Sequence, residues 1–302
     1  MLANTLPSAS DTGSPLAGSQ PLSPGAEIAP GYRVVALLRR GRDLDTYDLW
    51  SEERRCRCVG KTVREDRVAQ ERVIQRLLQE GSLLLKLTHP HIVRCYNVLP
   101  GSRPLVVLET LPGETLSRLA GRRKKRLVLR EVMIMGLQLC SAIGYLHKRG
   151  ILHLDLKPSN AVACQGQVKV LDLSVARGIG VPGGVSGTRG YRAPEQLAPG
   201  ALGAASDVWG IGIMLYQVLT GVPAWWQGST PRHPASLWEP FAPRAVRQLR
   251  RVPISLATLV DGCLAHDPGS RPSLDELVLG LEALLPEGPV VPATNSGLTT
   301  QR

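Results

Sequence analysis

Hydrophobic and polar positions divide the chain into two regions of different periodicity. Between residues 32 and 111, short apolar runs predict β-strands, at residues 32–38, 58–63, 95–99 and 105–108. One helical pattern interrupts these runs over about residues 66–87, with apolar side chains spaced for a single helix face. The first region is therefore predicted to be a small β-rich lobe, the N-lobe, that contains one long helix.

After residue 111 the pattern becomes helical. The amphipathic pattern over residues 128–148 predicts a helix, and the glycine at position 150 suits its C-terminal end. Residues 206–220 are apolar nearly all round, which predicts a buried helix with Ser206 as its N-cap and Gly221 at its C-terminal end. Two more helices are predicted, near residues 254–265 and 273–285. This second region is the predicted C-lobe.

The two ends of the chain are rich in small residues and proline. Residues 1–30 are predicted to be a disordered arm and residues 286–302 a disordered tail. The domain between them covers residues 31–285, with the N-lobe at 31–111 and the C-lobe at 112–285. The predicted fold class is α+β with two lobes.

Charge and composition limit the classes of partner. With 36 basic against 25 acidic residues, the formal net charge of +11 favours acidic partners, nucleic acid or anionic phosphates. A nucleic-acid role is disfavoured, because no basic stretch is interleaved with the aromatic residues that stack on bases. No signal-peptide pattern and no apolar run of about 18 residues is present, so no membrane span is expected.

Cysteine usage bears on the compartment. The six cysteines include no C-x-x-C pair, which disfavours both a disulfide framework and a zinc site. A reduced, cytoplasmic protein is the expectation.

The strongest chemical signal is the run H-L-D-L-K-P-S-N at residues 153–160. An aspartate, Asp155, can orient an attacking hydroxyl and accept its proton, and Lys157 two residues later can reach a transferring phosphate. Asn160 can hold a metal ion from the same loop, and Asp172 follows an apolar strand twelve residues further on. The spacing therefore favours metal-assisted phosphoryl transfer.

This pattern resembles the eukaryotic-like (Hanks-type) serine/threonine protein kinases, in particular soluble bacterial members. Further motifs follow in the family's order: G-T at residues 187–188, Y-R-A-P-E at 191–195, D-V-W-G at 207–210 and R-P at 271–272. The resemblance spans about residues 32–285. It implies a cleft between the lobes that binds ATP with Mg²⁺, Mn²⁺ being an alternative, and protein substrates with serine or threonine acceptors.

The resemblance also implies roles for single residues. Lys61 resembles the lysine that positions the α- and β-phosphates, and Glu80 resembles its glutamate partner, with Glu71 as a rival. Asp155 and Lys157 take the catalytic roles, and Asn160 and Asp172 hold the metal. The nucleotide is expected to contact the positions that match the glycine-rich loop, its neighbouring strands and the adenine hinge, namely Leu38, Gly41, Thr46, Val59, Lys61, Glu109 and Leu111.

Four departures from the family pattern modify these expectations. Arg39 and Leu44 stand where glycines would bring backbone amides close to the phosphates, so a weaker grip on ATP is expected. Leu154 replaces an arginine that in many relatives pairs with a phosphate on the activation loop. Ser174 replaces the glycine of the Asp-Phe-Gly motif. The residues that the chemistry requires are all present, so an active enzyme is expected.

Three alternatives stay open at this point. The first is a pseudokinase scaffold, which the altered glycine-rich loop favours. The second is a small-molecule phosphotransferase of the antibiotic kinase type, although such enzymes generally lack the Lys157-like residue and the Ala-Pro-Glu segment. The third is a binding module without catalysis that uses the basic surface.

Overall fold

A computed structural model describes residues 19–122, 126–182, 186–224, 226–227, 230–231 and 243–285. The predicted tail and the first eighteen residues of the predicted arm lie outside these ranges. The remainder of the arm differs from the prediction, because it is structured and contains a β-strand at Glu27–Ala29. The ordered domain therefore begins before residue 31.

An antiparallel sheet of six strands forms the N-lobe in the described part of the chain. Its strands lie in the order β1-β2-β3-β4-β6-β5. The bounds are Glu27–Ala29 for β1, Tyr32–Arg40 for β2, Leu44–Ser51 for β3, Cys56–Val63 for β4, Cys95–Leu99 for β5 and Leu105–Glu109 for β6. Four of them coincide with the predicted apolar runs, whereas β1 and β3 were not predicted.

The N-terminal segment covers the outer face of this sheet. Leu22 and Ile28 pack against a buried cluster that includes Tyr32 and Tyr47. The backbone N–H of Leu22 donates a hydrogen bond of 2.9 Å to the hydroxyl oxygen of Tyr47. Burial of this apolar face explains why residues 19–30 are ordered despite their small-residue composition.

Helix α1 (Glu71–Leu85) packs against the N-lobe sheet and begins five residues later than predicted. Its buried face contains Leu77, Glu80, Gly81 and Leu84. A β-carbon on Gly81 would lie 2.7 Å from a methyl group of Val98, so the helix reaches this position only because the side chain is absent. Glycine here sets how closely Glu80 approaches the sheet.

The C-lobe is built around helix α4, which is buried along nearly its whole length. The helices of this lobe are α2 (Leu116–Gly121), α3 (Leu129–His147), α4 (Ala204–Thr220), α5 (Val246–Leu249), α6 (Ile254–Cys263) and α7 (Leu274–Glu282). Gly221 ends α4 in the left-handed conformation, φ 76°, as predicted. The predicted N-cap is wrong, because α4 begins after Gly203 and Ser206 lies within its first turn.

Helix α3 is long and apolar enough to cross a membrane by length and composition. It packs against α4 and α7, and its buried residues include Leu139, Ile143 and Leu146. These contacts identify α3 as a core helix of the C-lobe.

Short strands of the C-lobe position the loops that carry residues 153–160 and Asp172. One sheet has the order β10-β9-β7, from Gln167–Val170, Ala161–Cys164 and Glu114–Thr115. Strand β8 (Ile151–Leu152) pairs with β11 (Arg177–Gly178), and β12 (Trp226–Gln227) pairs with β13 (Thr230–Pro231). Residues 153–160 thus run between β8 and β9, and Asp172 follows β10.

The close approach at Gly81 generates a stability prediction. We expect Gly81→Ala to lower the free energy of unfolding by about 1–3 kcal/mol, because the added carbon overlaps packed side chains. Gly121→Ala is the control, since its β-carbon meets nothing within 4 Å. Urea unfolding of both variants checks this, and equal stability of the two would contradict it.

Candidate active site

Asp207 anchors the loop at residues 153–160 through hydrogen bonds to the backbone of that loop. This aspartate is buried in the first turn of α4, and its carboxylate accepts the backbone N–H of His153 at 2.9 Å and that of Leu154 at 2.8 Å. His147 Nε2 lies 2.8 Å from the same carboxylate. Leu154 has φ 62°, which is unusual for a branched residue, and the bond to its N–H holds that conformation.

Asp155 is the centre of a network that joins two segments. Its Oδ1 accepts the backbone N–H of Thr188 at 2.7 Å, and its Oδ2 accepts Lys157 Nζ at 2.6 Å and Asn160 Nδ2 at 3.1 Å. Lys157 Nζ also donates to the hydroxyl oxygen of Thr188. The structure therefore brings together the three residues predicted from the loop and adds Thr188.

Lys61, Glu80 and Asp172 form the second cluster. Lys61 Nζ lies 2.7 Å from Glu80 Oε1 and 3.9 Å from Asp172 Oδ1. Burial opposes the charge of Lys61, but the two carboxylates outweigh burial and raise the pKa of the ammonium. Glu71 instead lies at the exposed start of α1 and accepts a hydrogen bond from Gln75. The partner of Lys61 is thus Glu80.

The turn that carries Asp172 is tied to helix α1. Asp172 has φ 63°, and its Oδ1 accepts the backbone N–H of Ser174 at 3.3 Å. Arg76 donates from Nε to the carbonyl oxygen of Ser174 and from Nη2 to its hydroxyl oxygen, both at 3.1 Å. Arg76 was not predicted as a site residue. The available signal was its position one helical turn before Glu80.

Asp172 and Asn160 are the residues that could offer oxygen atoms to a divalent metal. Burial would raise the pKa of Asp172, but Lys61 outweighs it and holds the carboxyl well below its usual range. Asn160 uses its amide nitrogen in both of its bonds to Asp155, which directs its amide oxygen away from that residue. In the described ranges no group of three or more His, Cys, Asp or Glu residues forms a metal site. Two oxygens fit a Mg²⁺-type ion that takes its other ligands from phosphates and water.

Residues predicted to contact the nucleotide line one face of the N-lobe sheet. Thr46 lies opposite Lys61 on β3 and β4, and Val59 lies opposite Leu108 on β4 and β6. Leu38 lies at an irregularity in β2 with 55% of its surface exposed. Register thus places Thr46 and Val59 on the face of the sheet that carries Lys61.

Gly41 occupies the β2–β3 turn. Its N–H donates to the carbonyl oxygen of Leu44 at 2.8 Å, and a β-carbon at this position would lie 2.9 Å from the same oxygen. The turn therefore requires glycine for close backbone approach.

At the connection between the lobes, Glu109 is the last residue of β6 and Leu111 lies two residues after it. The Glu109 carboxylate accepts Lys169 Nζ at 2.5 Å and the backbone N–H of Arg94 at 2.9 Å. The Leu111 carbonyl accepts the N–H of Gly113 at 2.9 Å. The Glu109 side chain is therefore engaged by these two partners.

An ion pair between the buried Arg271 and the partly buried Glu195 anchors the segment after Thr188. Arg271 binds Glu195 with two hydrogen bonds of 2.7 and 2.8 Å, and the hydroxyl of Ser206 donates to the same carboxylate at 2.7 Å. Burial would raise the pKa of Glu195, but the bonds from Arg271 outweigh it and lower that pKa. Gln196 continues the anchor by donating to the carbonyl oxygen of Leu154 at 2.9 Å.

Comparison with known families agrees with this geometry. The protein kinase domain family model matches residues 32–279, and the chain belongs to that family. Its two-lobed α+β fold and the family resemblance predicted from sequence are confirmed. Membership implies ATP and a divalent metal as cofactors.

Curated relatives are bacterial serine/threonine-protein kinases among others. The chain is 32% identical over 236 residues to serine/threonine-protein kinase PkaA of Streptomyces coelicolor. The aligned region covers 74% of this chain and 42% of PkaA. It is 28% identical over 294 residues to PknD of Chlamydia pneumoniae, covering 85% of this chain and 31% of PknD. The chain spans less than half the length of these relatives.

The Glu195–Arg271 pair generates a pH-dependent prediction. We expect Glu195→Gln to lower the free energy of unfolding at pH 7 by about 3 kcal/mol or more, because Arg271 is left buried without its counter-charge. Since the folded-state pKa of Glu195 is lowered, the contribution is present above the unfolded pKa of about 4.3 and is lost as the pH falls through the folded pKa.

The measurement is urea unfolding of wild type and variant between pH 3 and pH 8. The difference should be constant above about pH 5 and shrink below about pH 4. Glu114→Gln is the matched control, because Glu114 pairs with the exposed Arg118 and Arg122 and should cost at most about 1 kcal/mol. A difference that grows on acidification would contradict the assigned pair.

Proposed function

We propose that this chain is a protein kinase that transfers the γ-phosphoryl group of ATP to serine or threonine hydroxyls of proteins, with Mg²⁺ as the metal. The observation that carries the proposal is the fixed orientation of the Asp155 carboxylate. Its two oxygens are held by Thr188, Lys157 and Asn160.

Each residue then has a defined role. Lys61, anchored by Glu80, binds the α- and β-phosphates, and Asn160 and Asp172 hold the metal. Asp155 orients the acceptor hydroxyl and takes its proton, while Lys157 offsets the charge of the transferring group. Bound ATP would supply the γ-phosphoryl group and leave as ADP, and the metal would offset the charge on the phosphate oxygens.

Selectivity for serine and threonine is supported by two observations. Lys157 reaches both Asp155 and the Thr188 hydroxyl, an arrangement that resembles the serine/threonine branch of the family. The matched relatives PkaA and PknD are also named as serine/threonine-protein kinases. We also infer a cytoplasmic location, because all six cysteines are free thiols.

Loss of the proposed base or metal ligand should abolish turnover. We expect Asp155→Asn to lower the rate by on the order of 10²–10⁴-fold, and Asp172→Ala by at least as much. The measurement is transfer from labelled ATP with Mg²⁺ or Mn²⁺ to a generic protein acceptor, followed by phosphoamino-acid analysis. Asp275→Asn, an exposed aspartate of α7, is the control.

Two outcomes would contradict this function. Turnover by folded Asp155→Asn at the wild-type rate would remove the proposed base. ATP binding by the wild type without any transfer would favour the pseudokinase alternative, for which the altered β2–β3 turn is the motivating feature.

The contact between Arg76 and Ser174 generates a prediction about positioning. We expect Arg76→Ala to lower kcat by roughly 10-fold, because two hydrogen bonds of about 1 kcal/mol each no longer hold α1 to the Asp172 turn. The Mg²⁺ concentration for half-maximal rate should rise, since Asp172 is a proposed ligand. Arg76→Lys should lie in between.

Arg72→Ala is the matched control, because Arg72 is an exposed arginine one turn earlier on the same helix. Steady-state kinetics at varied Mg²⁺ separate the two variants. If Arg76→Ala behaves like Arg72→Ala, the contact with Ser174 has no role in alignment.

A further inference from the structure

Strand register places Arg39 on the face of the sheet that carries Lys61. Arg39 on β2 lies opposite Thr46 on β3, and Thr46 lies opposite Lys61 on β4. Residues directly opposite each other in antiparallel strands project to the same face. Two inter-strand spacings separate the backbones of Arg39 and Lys61, about 10 Å, so both side chains can reach one ligand between them.

An irregularity in β2 is responsible for this orientation. The register shifts between Leu37, which lies opposite Tyr47 on the outer face, and Arg39. If the pairing stayed regular after Leu37, Leu38 would lie opposite Thr46 and Arg39 opposite Asp45, and Arg39 would project outward, because a slip by one residue reverses the face of every side chain. Arg40 takes the outward position instead, and its Nε lies 3.9 Å from Asp45 Oδ1.

The charge of Arg39 is not balanced by a carboxylate within ion-pair distance in the described part of the chain, whereas several neighbouring arginines are paired. Arg39 is also exposed, and its positive charge lowers the pKa of Lys61 against the effect of the two carboxylates. A cation that no carboxylate balances is stabilised when an anion binds beside it.

We propose that the guanidinium of Arg39 binds the phosphate groups of the nucleotide, opposite Lys61, in place of the backbone amides that a glycine at this position would bring close. This role rests on the proposed function, because it requires a nucleoside polyphosphate in the cleft. Guanidinium groups suit the task, since two of their N–H groups can bind one phosphate. This contact would offset, at Arg39, the lower affinity for ATP that is expected from the replacement of glycine at Arg39 and Leu44.

Calorimetric titration of wild type and variants with Mg·ATP, ADP and adenosine tests this role. We expect Arg39→Ala to weaken ATP binding about tenfold or more, ADP binding less, and adenosine binding not at all. Arg39→Lys should lie between wild type and Arg39→Ala. Arg42→Ala is the matched control, because Arg42 is exposed in the adjoining turn outside the paired strands, and it should bind ATP as the wild type does.

Several results would overturn the role. One is unchanged or tighter ATP binding by Arg39→Ala. Another is an equal loss of affinity for ATP and for adenosine in that variant, which would indicate a structural effect on the sheet. Failure of the proposed function is distinguishable, because it is seen in the wild-type protein. A wild type that binds no ATP overturns both, whereas a wild type that binds and transfers, with Arg39→Ala unchanged, overturns only the role of Arg39.

Discussion

The geometry of the site depends on one buried carboxylate. Asp207 accepts two consecutive backbone N–H groups, those of His153 and Leu154, and it does so from the first turn of a helix that is itself buried. The N-terminal end of a helix favours a negative charge, and the charge-assisted bonds compensate for its burial. Because α4 cannot move without disrupting the C-lobe core, the loop that carries Asp155, Lys157 and Asn160 inherits its rigidity.

The departures from the family pattern have local structural counterparts. Leu154, where many relatives have an arginine, packs with Leu152, Leu202 and Val175 instead of presenting a charge. Its carbonyl oxygen accepts Gln196 Nε2, so the loop is joined to the following segment by a neutral hydrogen bond. Ser174 similarly provides the hydroxyl and carbonyl oxygens that Arg76 binds. These contacts join the loop at residues 153–160 and α1 to the segment between Asp172 and Gln196 without a phosphate.

The elements that were predicted correctly are those in which the spacing of apolar residues along the sequence matches the face that is buried. Helix α3 and strand β5 agree with the prediction to within one residue at each end, because each presents a clear apolar pattern. Strand β3 was missed because Asp45 and Asp48 are buried in it, and their arginine partners Arg40 and Arg57 come from neighbouring strands. Strand β1 was missed because its composition is that of a linker, although its partner surface is an apolar sheet face.

By itself the sequence determined the two-lobed fold and the set of chemical groups, because motif spacing places Asp155, Lys157 and Asn160 on one loop and Asp172 after the next strands. It left open whether Glu80 or Glu71 pairs with Lys61, since both lie on one helix. The tertiary structure decided this, because only Glu80 lies on the face that Gly81 allows to approach the sheet. The tertiary structure also decided on which face of the sheet Arg39 lies. The face of a strand residue depends on the register and the irregularities of strand pairing, which only the paired strands reveal.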